Sequence, residues 1–201
     1  MQSKLLLKAI TASSILVFFL NSTSHATIFS YEVTLSGPNE FPANASPGTG
    51  FATVNFNDSA NTLFIDLVFS GLLGTTTASH IHAATVIPGT GTAGVATTTP
   101  TFAGFPLGVT SGAFTTTLDL TLASSYNPSY ITANGGTTAG AEAALAAAMA
   151  AGEAYLNIHT TVVPGGEIRG FLTPVPEPSS LGLTVLGGAA LALAARRRKL
   201  V

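Results

Sequence analysis

Apolar and polar side chains alternate with a period of two over most of the chain between positions 27 and 172, the mark of strands with one buried face. Thr27 to Leu35 sets Ile28, Tyr31, Val33 and Leu35 among polar residues and predicts a first strand. Phe51–Asn57 and Leu63–Phe69 flank Asp58-Ser59-Ala60-Asn61, which predicts a hairpin. Ser79–His82 and Gly112–Leu122 read as further strands. A final hairpin is predicted over Gly152–Leu172: Tyr155, Asn157 and His159 alternate with Leu156, Ile158 and Thr160. Val163-Pro164-Gly165-Gly166 then turns the chain into a short strand in which Glu167, Arg169 and Phe171 oppose Ile168, Gly170 and Leu172.

Two long stretches and one helix interrupt this pattern. Gly37–Gly50 is rich in proline, glycine and asparagine and reads as a loop. Ala83–Gly108 is dominated by Thr, Gly, Ala and Pro; a loop of that length inside a compact domain is commonly functional or mobile. Ala139–Ala151 is nearly all alanine and predicts a helix with Leu145 and Met149 on one face and Gly152 behind its end. It should pack over an end or edge of the strands.

The two ends have a different character. Lys4 and Lys8 precede an apolar run from Ile10 to Leu20 and the small-x-small pattern Ser24-His25-Ala26. Residues 1–26 therefore read as a secretory signal peptide cleaved after Ala26. At the other end Val175-Pro176-Glu177-Pro178 is kept extended by its prolines, which suits a protease substrate. An apolar run over 179–195 follows, then Arg196-Arg197-Arg198-Lys199. As a helix that run is about 26 Å long, enough for a thin bilayer, and the basic cluster places its end in the cytoplasm.

Charge and thiol content narrow the function. Between Thr27 and Val175 Arg169 is the one basic side chain against eight carboxylates, a net charge of −7 that the whole-chain value of −2 conceals. Such a surface cannot neutralise phosphates, so nucleic-acid binding is excluded. There is no cysteine, so an exported domain must rest on its core, or on its core and a metal. No G-x-S-x-G elbow, cysteine nucleophile or HExxH helix is present, and nothing identifies an enzyme.

The candidate chemistry lies in three histidines. His80 and His82 on one strand point to the same face about 6 to 7 Å apart at the backbone, which suits chelation of one ion. His159 on another strand can complete a three-nitrogen copper or zinc site. The competing reading makes them structural polar residues bonded to backbone or loop groups. Arg169 reads as the ion-pair partner of one of the eight acidic groups, and Glu40 and Glu167 as carboxylates that cap turns or accept bonds from strand-end amides.

The Leu35–Pro42 segment, Ser79-His80-Ile81-His82 and the Gly152–Leu172 hairpin, with Glu40, Asn157, Glu167 and Arg169 as motif positions, resemble the CHRD domain, named after chordin and common in bacterial exported proteins. The resemblance covers roughly Thr27 to Leu172, departs from the family where Ala83-Ala84 replace a usual glycine and proline, and puts the domain at 27–173. It implies an all-β fold, an immunoglobulin-like or superoxide-dismutase-like β-sandwich or barrel, here with one Ala-rich helix and flanked by a signal peptide and a C-terminal transmembrane helix. Dismutases likewise draw copper ligands from a His-x-His strand and a later strand, although no zinc-binding loop or bridging histidine is found here. The tail over 174–201 resembles the PEP-CTERM sorting signal read by exosortase in Gram-negative bacteria that make exopolysaccharide. That resemblance implies signal peptidase and exosortase as processing partners, transient anchoring in the inner membrane, and delivery to the cell surface or extracellular matrix. The expected function is a non-enzymatic surface or biofilm-matrix protein binding exopolysaccharide or a surface protein; the alternative is a metalloprotein centred on His80, His82 and His159.

Overall fold

The computed structural model describes residues 27–176. The signal peptide expected over 1–26, Glu177 and Pro178, the membrane helix expected over 179–195 and the basic end all lie outside the described residues. Among the described residues no helix is long and apolar enough to cross a membrane.

The elements in order are β1 (Ile28–Ser36), β2 (Thr49–Asn57), β3 (Thr62–Ser70), β4 (Thr76–His82), β5 (Gly112–Asp119), α1 (Pro128–Ala133), α2 (Thr138–Ala150), β6 (Tyr155–Thr160), β7 (Ile168–Phe171) and β8 (Thr173–Pro174). All strand pairings are antiparallel, in the order β4-β6-β7-β1-β2-β3-β5, with β8 also on β1. The strands form one hydrogen-bonded sheet curled into a half-barrel, a coarser architecture than the sandwich or closed barrel expected from the resemblance. The segment before β5 comes round to β4: Thr76 N–H donates to the Val109 carbonyl at 2.8 Å and Gly108 N–H to the Thr76 carbonyl at 2.9 Å.

The predicted hairpins form. In the β2–β3 turn Asn57 Oδ1 accepts from the amides of Ser59 and Ala60, and Asn61 takes the left-handed conformation that Asn tolerates. The concave face carries Val33, Leu35, Val54, Leu63, Ile65, Leu67, Ile81, Leu156, Ile158 and Ile168, all fully buried. Helix α2 occupies nearly the predicted span; Thr137 caps it by accepting from Gly140 N–H, and Ala141, Leu145, Ala148 and Met149 are buried in the core. Gly152 follows its end with φ +70°, as the C-terminal glycine signal requires. The six-residue α1 was not expected. Its mark is Asn127-Pro128, a capping side chain followed by proline at the first turn, too short to show periodicity. Strand β5 stops at Asp119 and not at Leu122, because the Asp119 carboxylate accepts from Thr121 N–H and hydroxyl and turns the chain.

The long 83–108 loop is pinned along the free edge of β4. Thr101 Oγ1 accepts from Ser79 N–H and Thr97 Oγ1 from Ile81 N–H, while Phe102 and Ala96 amides donate to the Ser79 and Ile81 carbonyls. Threonine hydroxyls thus stand in for a neighbouring strand and leave no open edge. Phe102 and Phe105 from this loop pack on Phe114 at 5.8 and 5.5 Å between ring centres and close the end of the core.

Glu167 holds the second long loop. Its carboxylate is fully buried and accepts from Ser46 Oγ and Thr160 Oγ1 at 2.6 Å each and from the amides of Leu73 and Gly74 at 2.6 and 3.1 Å. Burial pushes its pKa up, but these four donors outweigh it and hold it below the usual carboxylate value. A carboxyl depressed in this way contributes stability above its unfolded pKa that is lost as pH falls. Replacing Glu167 with alanine should strand four donors, those of Ser46, Gly74 and Thr160 buried and that of Leu73 part-buried, and cost about 3 kcal/mol, read as a clear drop in the urea midpoint at pH 7. The deficit relative to wild type should shrink as the pH is taken below about 4.

Candidate metal centre beneath the covering loops

Strands β4, β6 and β7 bury both faces, and the outer one is polar. Register sets His80 beside Asn157 and Arg169, and His82 beside Tyr155 and Phe171; His159, opposite Ala78, falls on the same side. Loops 37–48 and 83–108 cover these side chains, so that His80, His82, Asn157 and Arg169 are each less than a tenth exposed. Two glycines permit this closeness. A Cβ on Gly170 would strike the Thr34 carbonyl where β7 meets β1. One on Gly166, whose φ is +130°, would strike Asn157 Nδ2 and the Glu40 carboxylate.

The three imidazoles converge. Their candidate ligand atoms all lie within 4.8 Å of one another. Each Nδ1 faces a backbone carbonyl: His80 that of Pro100 at 3.2 Å, His82 that of Ala93 at 2.8 Å, His159 that of Pro164 at 2.8 Å. A carbonyl only accepts, so each Nδ1 carries the proton and each Nε2 presents a lone pair. Nε2 of His80 and His159 then face each other at 2.9 Å, and His82 Nε2 is buried with no partner. Burial, and next the charges of His82 and His159, push the His80 pKa down to about 3. Burial is also the largest cause at His82, pushed down to about 4, with smaller effects from His159 and Arg169, and at His159, which is lowered too. The rings are therefore neutral at physiological pH, and no proton is at hand to bridge the opposed lone pairs. A metal ion fits this donor set. With bonds to imidazole nitrogen of about 2 Å, ring movements of about 1 Å close the trio on one ion. The carbonyls that orient each Nδ1–H are the outer support that metal-bound histidines use.

Beside the trio runs a stack. Tyr155 lies parallel to the His82 ring at 4.6 Å, and the Arg169 guanidinium stands 4.7 Å from the Tyr155 centre and 5.4 Å from that of Phe171. Arg169 donates to the Asn39 and Gly91 carbonyls, one from each covering loop, and its Nε lies 3.8 Å from Glu40 Oε2. Glu40 also accepts from Asn157 Nδ2 at 2.9 Å. Of the eight carboxylates, Glu40 is the one the fold gives Arg169 as a partner.

Residues 31–172 match the CHRD domain family, and residues 174–199 match the PEP-CTERM protein-sorting motif. The chain belongs to the CHRD family. No curated protein and no solved structure matched it. The sorting motif of this CHRD protein implies export, association with the cell envelope and processing by exosortase-type machinery. Of its sorting residues, Pro176 is exposed at the end of the described chain, whereas Ala26, Glu177, Pro178, Arg196, Arg197 and Arg198 lie outside it.

The structure thus brings together His80, His82 and His159, and separately Glu40, Asn157 and Arg169, while Glu167 stands at the turn between β6 and β7. Reading the sequence gave no role to Tyr155, although the parity it shares with Asn157 and His159 placed it on this face. Nor did it find Asn44, whose Nδ2 donates to the Gly166 and Glu167 carbonyls. The three carbonyl acceptors have no side-chain signature at all.

Glu40 yields a pH prediction. Burial raises its pKa to about 7 despite the Arg169 charge, the Phe41 amide and Asn157 Nδ2. A carboxyl raised on folding contributes stability that is complete below its unfolded value and is lost as pH rises through the folded one. The Glu40→Gln variant should therefore lack the component of declining stability between about pH 4.5 and 7 that wild type shows in urea unfolding across that range.

Proposed function

We propose that this CHRD protein holds one copper or zinc ion on His80, His82 and His159 outside the cytoplasm. The observation that carries this reading is the set of three imidazoles whose Nδ1 atoms are all committed to carbonyls while their Nε2 lone pairs meet without a donor between them. Structural histidines would not be oriented this way, since each would use both nitrogens on protein partners. Three nitrogen donors suit copper or zinc over magnesium or calcium, which take oxygen. The likeness to dismutases drawn from the motifs supports the same centre, with the domain over 27–173, the leader over 1–26 and the tail over 174–201.

A binding role towards a matrix polysaccharide or surface protein is favoured by a separate cleft of about 730 Å³, walled by Glu32, Thr34, Phe41, Arg169 and Phe171. Arg169 is already paired with Glu40 there, so an uncharged partner suits it best.

Titration of the purified protein with Cu²⁺ or Zn²⁺ should show one equivalent bound, with at least a hundredfold weaker binding in His80→Ala and His82→Ala. Metal at about a hundred times its dissociation constant should stabilise wild type by about 2.7 kcal/mol and leave His80→Ala unmoved. Because the ligands stay neutral well below the ordinary histidine value, half-release should fall below about pH 5. A stoichiometry unchanged in both variants would remove the centre.

The sorting reading concerns the tail. Mass spectrometry of the mature protein should place its C-terminus near Pro178 and its N-terminus at Thr27. Recovery of Arg198 on the cell-associated form would mean a retained anchor.

A further inference from the structure

Both ends of the folded domain leave from one corner. β8 lies antiparallel to the start of β1, with Pro174 opposite Tyr31, and Val175 N–H donates to the Ser30 carbonyl at 2.8 Å. Val175 is thus fixed to the sheet, one residue before Pro176-Glu177-Pro178 begins. This corner is apolar on both faces of the strand end: Phe29, 44 % exposed, and Val175, 36 %, border a hollow of about 300 Å³ shared with Tyr31 and Pro174, and Ile28, 45 % exposed, stands on the opposite face of β1. Exposed apolar groups clustered at one place mark a contact surface.

The length of chain beyond the corner says what that surface meets. Four Cα-to-Cα steps, through Pro176, Glu177 and Pro178, link Val175 to Ser179, the first residue of the apolar run over 179–195. Fully extended they span about 14 Å. If that run is inserted in the membrane, as the sorting reading holds, the corner cannot lie farther than this from the bilayer. Such a short tether also gives the patch a high effective concentration at the lipid surface, so that three modest apolar side chains suffice where they would not hold a free protein.

We propose that the corner formed by Ile28, Phe29 and Val175 is a membrane-docking patch that seats the domain on the bilayer while the tail is attached. The partner is an uncharged lipid surface, since the patch carries no basic side chain and Asp58 stands in the neighbouring β2–β3 turn. The seat also orients the domain. Sheet register puts His82 level with Thr34 and His80 level with Ser36, four and six residues up β1 from Ser30. At about 3.3 Å per residue the histidines stand roughly 13 to 20 Å above the corner, on the side turned away from the lipid.

The chain has no tryptophan, so single introduced tryptophans can report depth. The full chain with its tail, carrying Phe29→Trp, Phe51→Trp or Leu186→Trp, would be reconstituted in phosphatidylcholine vesicles with and without brominated acyl chains. Phe51 is as exposed as Phe29 but five residues along the sheet, opposite Thr34. Bromolipid should quench Phe29→Trp and Leu186→Trp by about twofold and leave Phe51→Trp unquenched. Quenching at Leu186→Trp with none at Phe29→Trp would overturn the docking patch and leave the anchored tail standing. No quenching at Leu186→Trp would remove both. A blue-shifted but unquenched Phe29→Trp would show protein and not lipid on the corner, which also overturns the proposal.

Discussion

Two buried carboxylates hold the covering loops on the outer face of β4, β6 and β7, and the candidate centre exists because that cover exists. Glu167 joins the 44–48 segment, the Leu73–Gly74 bend and Thr160 at one point. Glu40 meets Arg169 and Asn157, and Arg169 in turn reaches a carbonyl in each loop. A thiol-free domain outside the cytoplasm lacks the usual covalent means of fixing long loops. Hydrogen bonds with an ionised partner, as at the Glu167 carboxylate and the Arg169 guanidinium, are about twice as strong as neutral ones, so a few of them can serve in that place. They do so only while buried, which ties the loops and the sheet into one cooperative unit.

The cover explains the histidines in turn. Under loops, each polar atom on the outer face must find a partner inside the protein, and nearly all of them do. His82 Nε2 and Asn157 Oδ1 do not, and the Nε2 atoms of His80 and His159 meet acceptor to acceptor. A fold that satisfies a fully buried Glu167 with four donors is able to place partners where it needs them. Leaving three nitrogens of one cluster open is costly in a stable domain unless something else binds there.

What could be read beforehand follows from sequence separation. Neighbouring alternating runs gave the β2–β3 and β6–β7 hairpins, and the His-x-His spacing gave a shared face for His80 and His82. Period-two parity alone put His159 on the matching face of β6. The pairing of β4 with β6, and of β1 with β7, joins segments dozens of residues apart and leaves no local mark, so a half-barrel and a two-sheet sandwich predict the same alternation. Glu40 and Asn157 are 117 residues apart, and eight equivalent carboxylates offered no means of choosing Arg169's partner. The 83–108 segment is the irregular loop its composition marks, but composition does not show that its threonines supply the hydroxyls that complete the edge of β4.

The least covered of the three imidazoles shows how an ion would enter. His80 and His82 are buried, whereas His159 is part-exposed next to the β6–β7 turn, where the Pro164 carbonyl accepts from its Nδ1–H. Sheet register carries His159 two residues beyond the level of Ser36, so it is the histidine farthest along β1 from the chain ends. An ion arriving there meets His159 first and then the Nε2 atoms of His80 and His82 behind it. The covering loops need not open for that route, because the turn and not a loop borders the exposed ring. Charge favours the same path: with Arg169 buried, the six carboxylates outside the core, Glu32, Asp58, Asp66, Asp119, Glu142 and Glu153, would draw divalent cations from solution towards the proposed site.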